Sequence, residues 1–215
     1  MTGRPATTVS AVIDSVEKTP ESLGIGGRAA ARWAPWAMRA ALVVALAVTA
    51  AFPHWSQFEG KGMAFRAPFY ALSMAAVPVV WRLRGARPPY PWLVDVLVVA
   101  PFLADTLGNV FGFYRDYAVT DDVLHVLNWV LLMGGVTVAL RRTPISRLNA
   151  WALGYGIGGL AIIWWETAEF LVQEAGTAGL QLTYGDTIGD LLLSSTGGAV
   201  GALLAVRFAG REQQP

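Results

Sequence analysis

DDVLHVLNWVLLMGGVTVALRR, Asp121–Arg142, is the stretch whose reading decides the fold. Between its paired carboxylates and paired arginines, Val123–Leu140 contains no Asp, Glu, Lys or Arg. It approaches the roughly 20 apolar residues that a helix needs to cross a hydrocarbon core. The acidic start and basic finish also give it a direction. Lys and Arg collect in cytoplasmic loops, so this segment enters from outside and ends inside. Its polar residues are ordered as well. Asp121, His125 and Asn128 follow i, i+4, i+7 and form one stripe of a helix, whereas Asp122 points about 100° away and reads as a solvated or capping carboxylate.

Working outward, five more stretches have comparable length and polarity: Pro35–Phe52, Phe65–Leu83, Trp92–Phe113, Leu148–Val172 and Thr187–Phe208. The composition agrees, with 54% hydrophobic and only 14% charged residues. Period-2 alternation is lacking, which excludes a membrane β-barrel. The expected fold is therefore all-α: a polytopic membrane protein built as a bundle of six transmembrane helices. Basic residues fix its topology. Arg4, Lys18, Arg28, Arg32, Arg39, Arg82, Arg84, Arg87, Arg141, Arg142, Arg147, Arg207 and Arg211 fall on one side, leaving only Lys61, Arg66 and Arg115 of the 16 for the other. Both termini are thus expected in the cytoplasm, with the chain in the plasma (inner) membrane of a bacterium and the lipid bilayer as its partner.

The expected organisation is a disordered cytoplasmic tail over residues 1–32, a transmembrane domain over 33–210, and a short cytoplasmic tail over 211–215. The polar leader before the first span is longer than a signal-peptide n-region, which argues against cleavage after Ala50-Ala51. The absence of cysteine excludes disulfides, thiolate ligands and a Cys nucleophile. No Gly-x-Ser-x-Gly elbow, phosphate loop, strand-borne Rossmann fingerprint or His-Glu-x-x-His occurs. The basic patches follow topology and call for no nucleic acid.

Pro78 and Pro101 lie within spans and are expected to kink them. Trp33, Trp36, Trp55, Trp81 and Trp92 sit near span ends as an interfacial belt, and His54 beside Trp55 reads as part of it. Gly154, Gly156, Gly158 and Gly159 in the fifth span, with Gly197, Gly198 and Gly201 in the sixth, let helices approach closely. Asp95, near the cytoplasmic end of the third span, stands alone, within reach of a loop arginine.

Polar residues recur at the outer ends of four spans. Asp105/Asn109 and Asp186/Asp190 are i, i+4 pairs; Glu166, Glu169 and Gln173 follow i, i+3, i+7. With Asp121, His125 and Asn128, all are expected in the outer leaflet. Asp121 and Asp186 open helices and could equally be N-caps; Thr106 and Ser194 extend the polar faces toward backbone partners. By this count six carboxylates converge on one His with no intramembrane Lys or Arg, and Arg115 in the outer loop offsets at most one charge. Such a group must hold a cation or keep several protons.

Three readings remain open. A divalent metal, Zn²⁺, Mn²⁺ or Fe²⁺, suits a donor set of one imidazole with carboxylates. His125, Glu169 and Asp190 would ligate it, Glu166 or Asp186 would act as base, and Asp105, Asn109, Asp121, Asn128 and Gln173 would orient ligands or substrate. That reading gives a hydrolase or transferase acting on a lipid-linked or envelope substrate. The second is a proton- or ion-coupled transporter, disfavoured by the outward skew of the cluster and the lack of internal repeats. The third is a scaffold or assembly subunit whose polar residues hold helices together. Oligomeric state is not legible.

DTLGNVFGFY (Asp105–Tyr114), DDVLHVLNW (Asp121–Trp129), WETAEF (Trp165–Phe170) and YGDTIGDLLLSSTGGAVGA (Tyr184–Ala202), in that order, resemble the YjdF-like family of inner-membrane proteins. More distantly the chain is similar to VanZ-like membrane proteins, with Asp122 in place of a Lys in their Asp-Lys-x-x-His motif and Ser194 where an Asn stands. The resemblance implies a small multispanning membrane protein and no particular reaction.

Overall fold

A computed structural model describes residues 25–86, 89–176 and 182–209. Among these residues the chain is wholly helical, with seven α-helices and no strand: α1 (Ile25–Ala51), α2 (Met63–Leu83), α3 (Trp92–Val110), the short α4 (Phe113–Asp116), α5 (Thr120–Arg141), α6 (Arg147–Glu174) and α7 (Tyr184–Phe208), with a 3-10 turn at Ser56–Phe58. The expected C-terminal tail and most of the N-terminal tail lie outside the described residues. Helix α1 begins at Ile25, inside the stretch read as tail, where alanine-rich RAAARWA favours helix.

Among the described residues five helices are long and apolar enough to cross a membrane: Arg32–Ala51 of α1, then α2, α3, α5 and α7. Helix α6, read from the sequence as a further crossing, is 28 residues long. Glycines, Tyr155 and the Trp164–Trp165 pair dilute its apolar run, and it does not join the five on composition. The outer surface is rich in large apolar side chains, among them Trp33, Val44, Leu72, Leu160, Trp164 and Leu192. A soluble domain rarely exposes apolar patches on this scale; a lipid-facing one must.

Helix α5 is the hub. It packs extensively on α7, then on α3 and α6. Both glycine stripes close on it rather than on each other. A Cβ at Gly197 or Gly201 would collide with the α5 backbone at Val126 or Val130, and one at Gly154 or Gly158 with Thr137 or Met133. Gly156 and Gly159 face open space and serve no close approach. Trp129, Met133 and Ile162 form the apolar centre, with Trp165 and Leu191 packed against it. Pro78 and Pro101 stay within continuous helices.

Opposite ends of the bundle differ in chemistry. At one end Asp95, 1% exposed, is not isolated: Arg39 of α1 grips it with two hydrogen bonds, 2.5 and 2.9 Å, and Tyr90 donates a third at 2.8 Å. The partner is therefore a helix arginine rather than a loop one. Burial, followed by the bond to Asp95, raises the pKa of Tyr90 and keeps it a donor. At the other end the starts of α2, α5 and α7 meet the ends of α3 and α6, and here Asp105, Glu166, Glu169 and Asp190 are buried.

A carboxylate and histidine pocket at one end of the bundle

The pocket has two halves. In the first, Arg66 in the opening turn of α2 contacts Glu169 of α6 at 2.5 Å and Asp105 of α3 at 3.6 Å. Tyr70, one turn along α2, donates to Asp105 Oδ2 at 2.6 Å, and Tyr114 of α4 donates to Oδ1. The Asn109 amide adds a bond to the Asp105 carbonyl at 3.0 Å. Tyr114 folds back because residue 108 is glycine, where a Cβ would crowd its ring at 3.2 Å. Burial and the adjacent Asp105 push the Tyr114 pKa up, so it too remains a donor.

This half corrects the charge count, which placed no cation among the carboxylates. Arg66 counts with the outer-side basic residues at the start of the Phe65–Leu83 span, yet its long stem carries the guanidinium inward from the first turn of α2. Arg115 takes no part; it pairs with neighbouring Asp116 at 2.8 Å and reaches Ser56 at 3.1 Å. Tyr70 and Tyr114 were also missed, although the i, i+4 spacing of Arg66 and Tyr70 was a legible sign of one shared face.

The second half has no such cation. His125 Nε2 lies 3.4 Å from Asp190 Oδ1 and 3.9 Å from Asp121 Oδ1. The ligand atoms of the three residues fall within 4.8 Å of one another. Two donors on one tetrahedral Zn²⁺, each about 2.0–2.1 Å from the ion, stand about 3.3 Å apart, so this group is near the size a divalent ion needs. His125 Nδ1 meets Ser194 Oγ at 2.9 Å. With one ring nitrogen tied to a second residue, the other is aimed at the carboxylates, as in metal-ligating histidines generally. Ser194 thus bonds a side chain, not the backbone partner expected for it.

Glu166, 5% exposed on α6, has no hydrogen-bond partner for either carboxylate oxygen. The charges it feels are those of Glu169, Asp190, Asp121 and Asp186, all acidic. A buried carboxylate without donors costs several kcal/mol if ionised, so this position is expensive and asks for a cation or a proton.

Other expected residues fall elsewhere. Glu169 is held by Arg66 and stands outside the three-residue ligand group. Gln173 staples the end of α6 to the approach of α7, accepting from Leu182 N–H at 2.7 Å. Asp186 is exposed in the first turn of α7, whose N-cap is Thr183; Asp121 likewise follows the α5 cap position at Val119, so neither caps its helix. Asp122 is exposed and His54 lies at the surface, as their positions implied.

Between α2, α3, α5 and α6 lies a cavity of about 380 Å³. Arg66, Tyr70, Asp105, Asp121, His125 and Asn128 line one end, and apolar side chains line the rest. The fold and this site define a helical membrane protein with a polar pocket at one end, where Asp121, His125 and Asp190 could hold a metal ion. More particularly, residues 34–211 match the model of a family described as "Predicted membrane protein (DUF2238)", and the chain belongs to that family. No curated protein and no solved structure matches it.

Proposed function

We propose that this protein is a metal-dependent hydrolase or transferase acting on a lipid-linked or envelope substrate at the outer face of a bacterial inner membrane. In this topology α6, about 42 Å long at 1.5 Å per residue, is a sixth crossing. Both termini are cytoplasmic, flanking the membrane domain as tails, and the arginine-rich loops face inward. The observation that carries the reading is the Asp121–His125–Asp190 group with its Ser194 support.

Asp121, His125 and Asp190 would hold Zn²⁺, Mn²⁺ or Fe²⁺, which supplies Lewis acidity and makes a water more acidic. Glu166 is the general base. It takes a proton from water as the water oxygen bonds to the substrate carbonyl carbon; the carbon–oxygen bond to the leaving group then breaks, and that group takes up a proton. Asn128 presents its amide to the cavity beside His125 and orients the substrate head, while Asn109 acts only through Asp105. Asp186, exposed at the rim, is the weaker candidate for base.

The apolar far end of the cavity argues against an ion path through the bundle, which ranks the transporter reading second. The test is turnover of acyl esters by protein in nanodiscs. Chelation should lower the rate at least 100-fold and Zn²⁺ or Mn²⁺ should restore it. Absence of hydrolysis together with pH-driven flux in proteoliposomes would reverse the order.

A further inference from the structure

The cavity sorts its lining by depth. Along α5 the wall runs from Asp121, His125 and Asn128 to Trp129, Leu132, Met133 and Val136, roughly 22 Å at 1.5 Å per residue. Its second half is wholly apolar and is matched by Phe102 on α3 and Ile157 and Ala161 on α6. Helix α2 contributes only Arg66, Phe69 and Tyr70, all near the polar end. It lies against α1 and α3 and has no extended contact with α5 or α6. Beyond Tyr70, which stacks on Trp165 at 6.3 Å, no α2 residue lines the cavity. The apolar half thus has no wall from α2, and Ile157 of α6 beside it is exposed.

Two residues that line this cavity carry buried polar atoms without partners, Arg66 Nε and Asn128 Oδ1. Asp105 and Glu169 pair with Arg66, Asp121 lines the cavity, and Asp190 and Glu166 add negative charge to the same group. An anionic head would meet more negative than positive charge even with a divalent ion present, whereas an uncharged head would meet no such repulsion.

Resting on the reading of the site given above, we infer that the substrate is a single-chain acyl ester or amide with an uncharged head. It enters sideways between α2 and α6, lays its chain along Trp129–Val136 and places its carbonyl beside His125 and Asn128. The experiment is photolabelling in nanodiscs with a monoacylglycerol that carries a diazirine in the chain, with bound metal measured on the same samples. Label should fall on 129–136 and 157–165. It should drop at least tenfold in Val136→Phe and in Ala161→Leu, which fill the cavity from different helices, with metal content unchanged. A phosphate-headed probe of equal chain length should label at least tenfold less.

Label confined to the lipid-facing side of α2, or indifferent to both substitutions in folded protein, overturns the inference. Equal labelling by the phosphate probe overturns the choice of head. Metal retained without cavity labelling defeats this inference alone; cavity labelling in protein that binds no metal defeats only the metal reading.

Discussion

The two halves of the pocket use the same acidic residue types to opposite ends. Around Arg66, Asp105 and Glu169 are gripped by a guanidinium and two tyrosine hydroxyls, so each charge has partners at 2.5–3.6 Å or closer. Around His125, Asp190 and the half-exposed Asp121 have the imidazole as their ion-pair partner, and neither carboxylate oxygen of Glu166 has a hydrogen-bond donor. The first half resembles the Arg39–Asp95–Tyr90 cluster at the opposite end of the bundle, where an Arg and a Tyr likewise close around an Asp. A fold that neutralises Asp95 and Asp105 so fully has the means to neutralise Asp190. Glu166 and Asp190 have no arginine in contact, and the proposed ligand would sit in that half.

The largest effect should separate stability from binding. Arg66→Met strands Asp105 and Glu169 and should cost about 3–5 kcal/mol, read as lost thermal stability in detergent. His125→Ala should leave the melting temperature within a few degrees and abolish metal binding. Equal destabilisation by both would erase the distinction between the halves.

Glu166→Gln should sharpen the comparison from the open side. It removes a buried charge without donors, so stability should rise, while hydrolysis should fall by about 10²–10⁴-fold, the usual contribution of a general base. A less stable variant would mean that Glu166 has a partner in the membrane that the fold does not reveal.

On the closed side, Tyr70→Phe deletes one hydrogen bond to a buried carboxylate and should cost about 1.5–3 kcal/mol, the range for bonds to charged groups. Metal content and turnover per folded molecule should not change. Selective loss of activity would make Asp105 part of the reactive site.

The smallest effect is the alkaline limit. Tyr114 holds its proton more tightly when folded, its pKa being raised by burial and by Asp105. Its stabilising contribution is complete below the unfolded tyrosine pKa of about 10 and is lost as pH rises beyond it toward the folded value. Tyr114→Phe should flatten that alkaline decline, measured as the melting temperature between pH 9 and roughly pH 11. An unchanged slope would assign the decline to other groups.

Much of this architecture was legible because hydropathy and charge act at long range along the chain. Helix existence follows from apolar length, and the i, i+4 stripes placed Asp121 with His125 and Asp105 with Asn109. Contacts between helices were harder to read. The glycines announced close packing but not their partner, and both stripes turned out to face α5. Arg66 escapes the count of intramembrane charges because it stands at the outer end of its span, by a margin smaller than its side chain is long. Glu169 was grouped with His125 on spacing alone. Sequence gives the face of α6 but not which of two acidic neighbours an arginine from α2 will reach first.

Bound metal measured by elemental analysis of purified protein, wild type beside Asp190→Asn and Glu169→Gln, tests the division of the pocket most directly. The expected result is near-stoichiometric divalent metal in wild type and in Glu169→Gln, and none in folded Asp190→Asn. Metal absent from wild type after loading with Zn²⁺ or Mn²⁺, or lost with Glu169 and kept without Asp190, would contradict it.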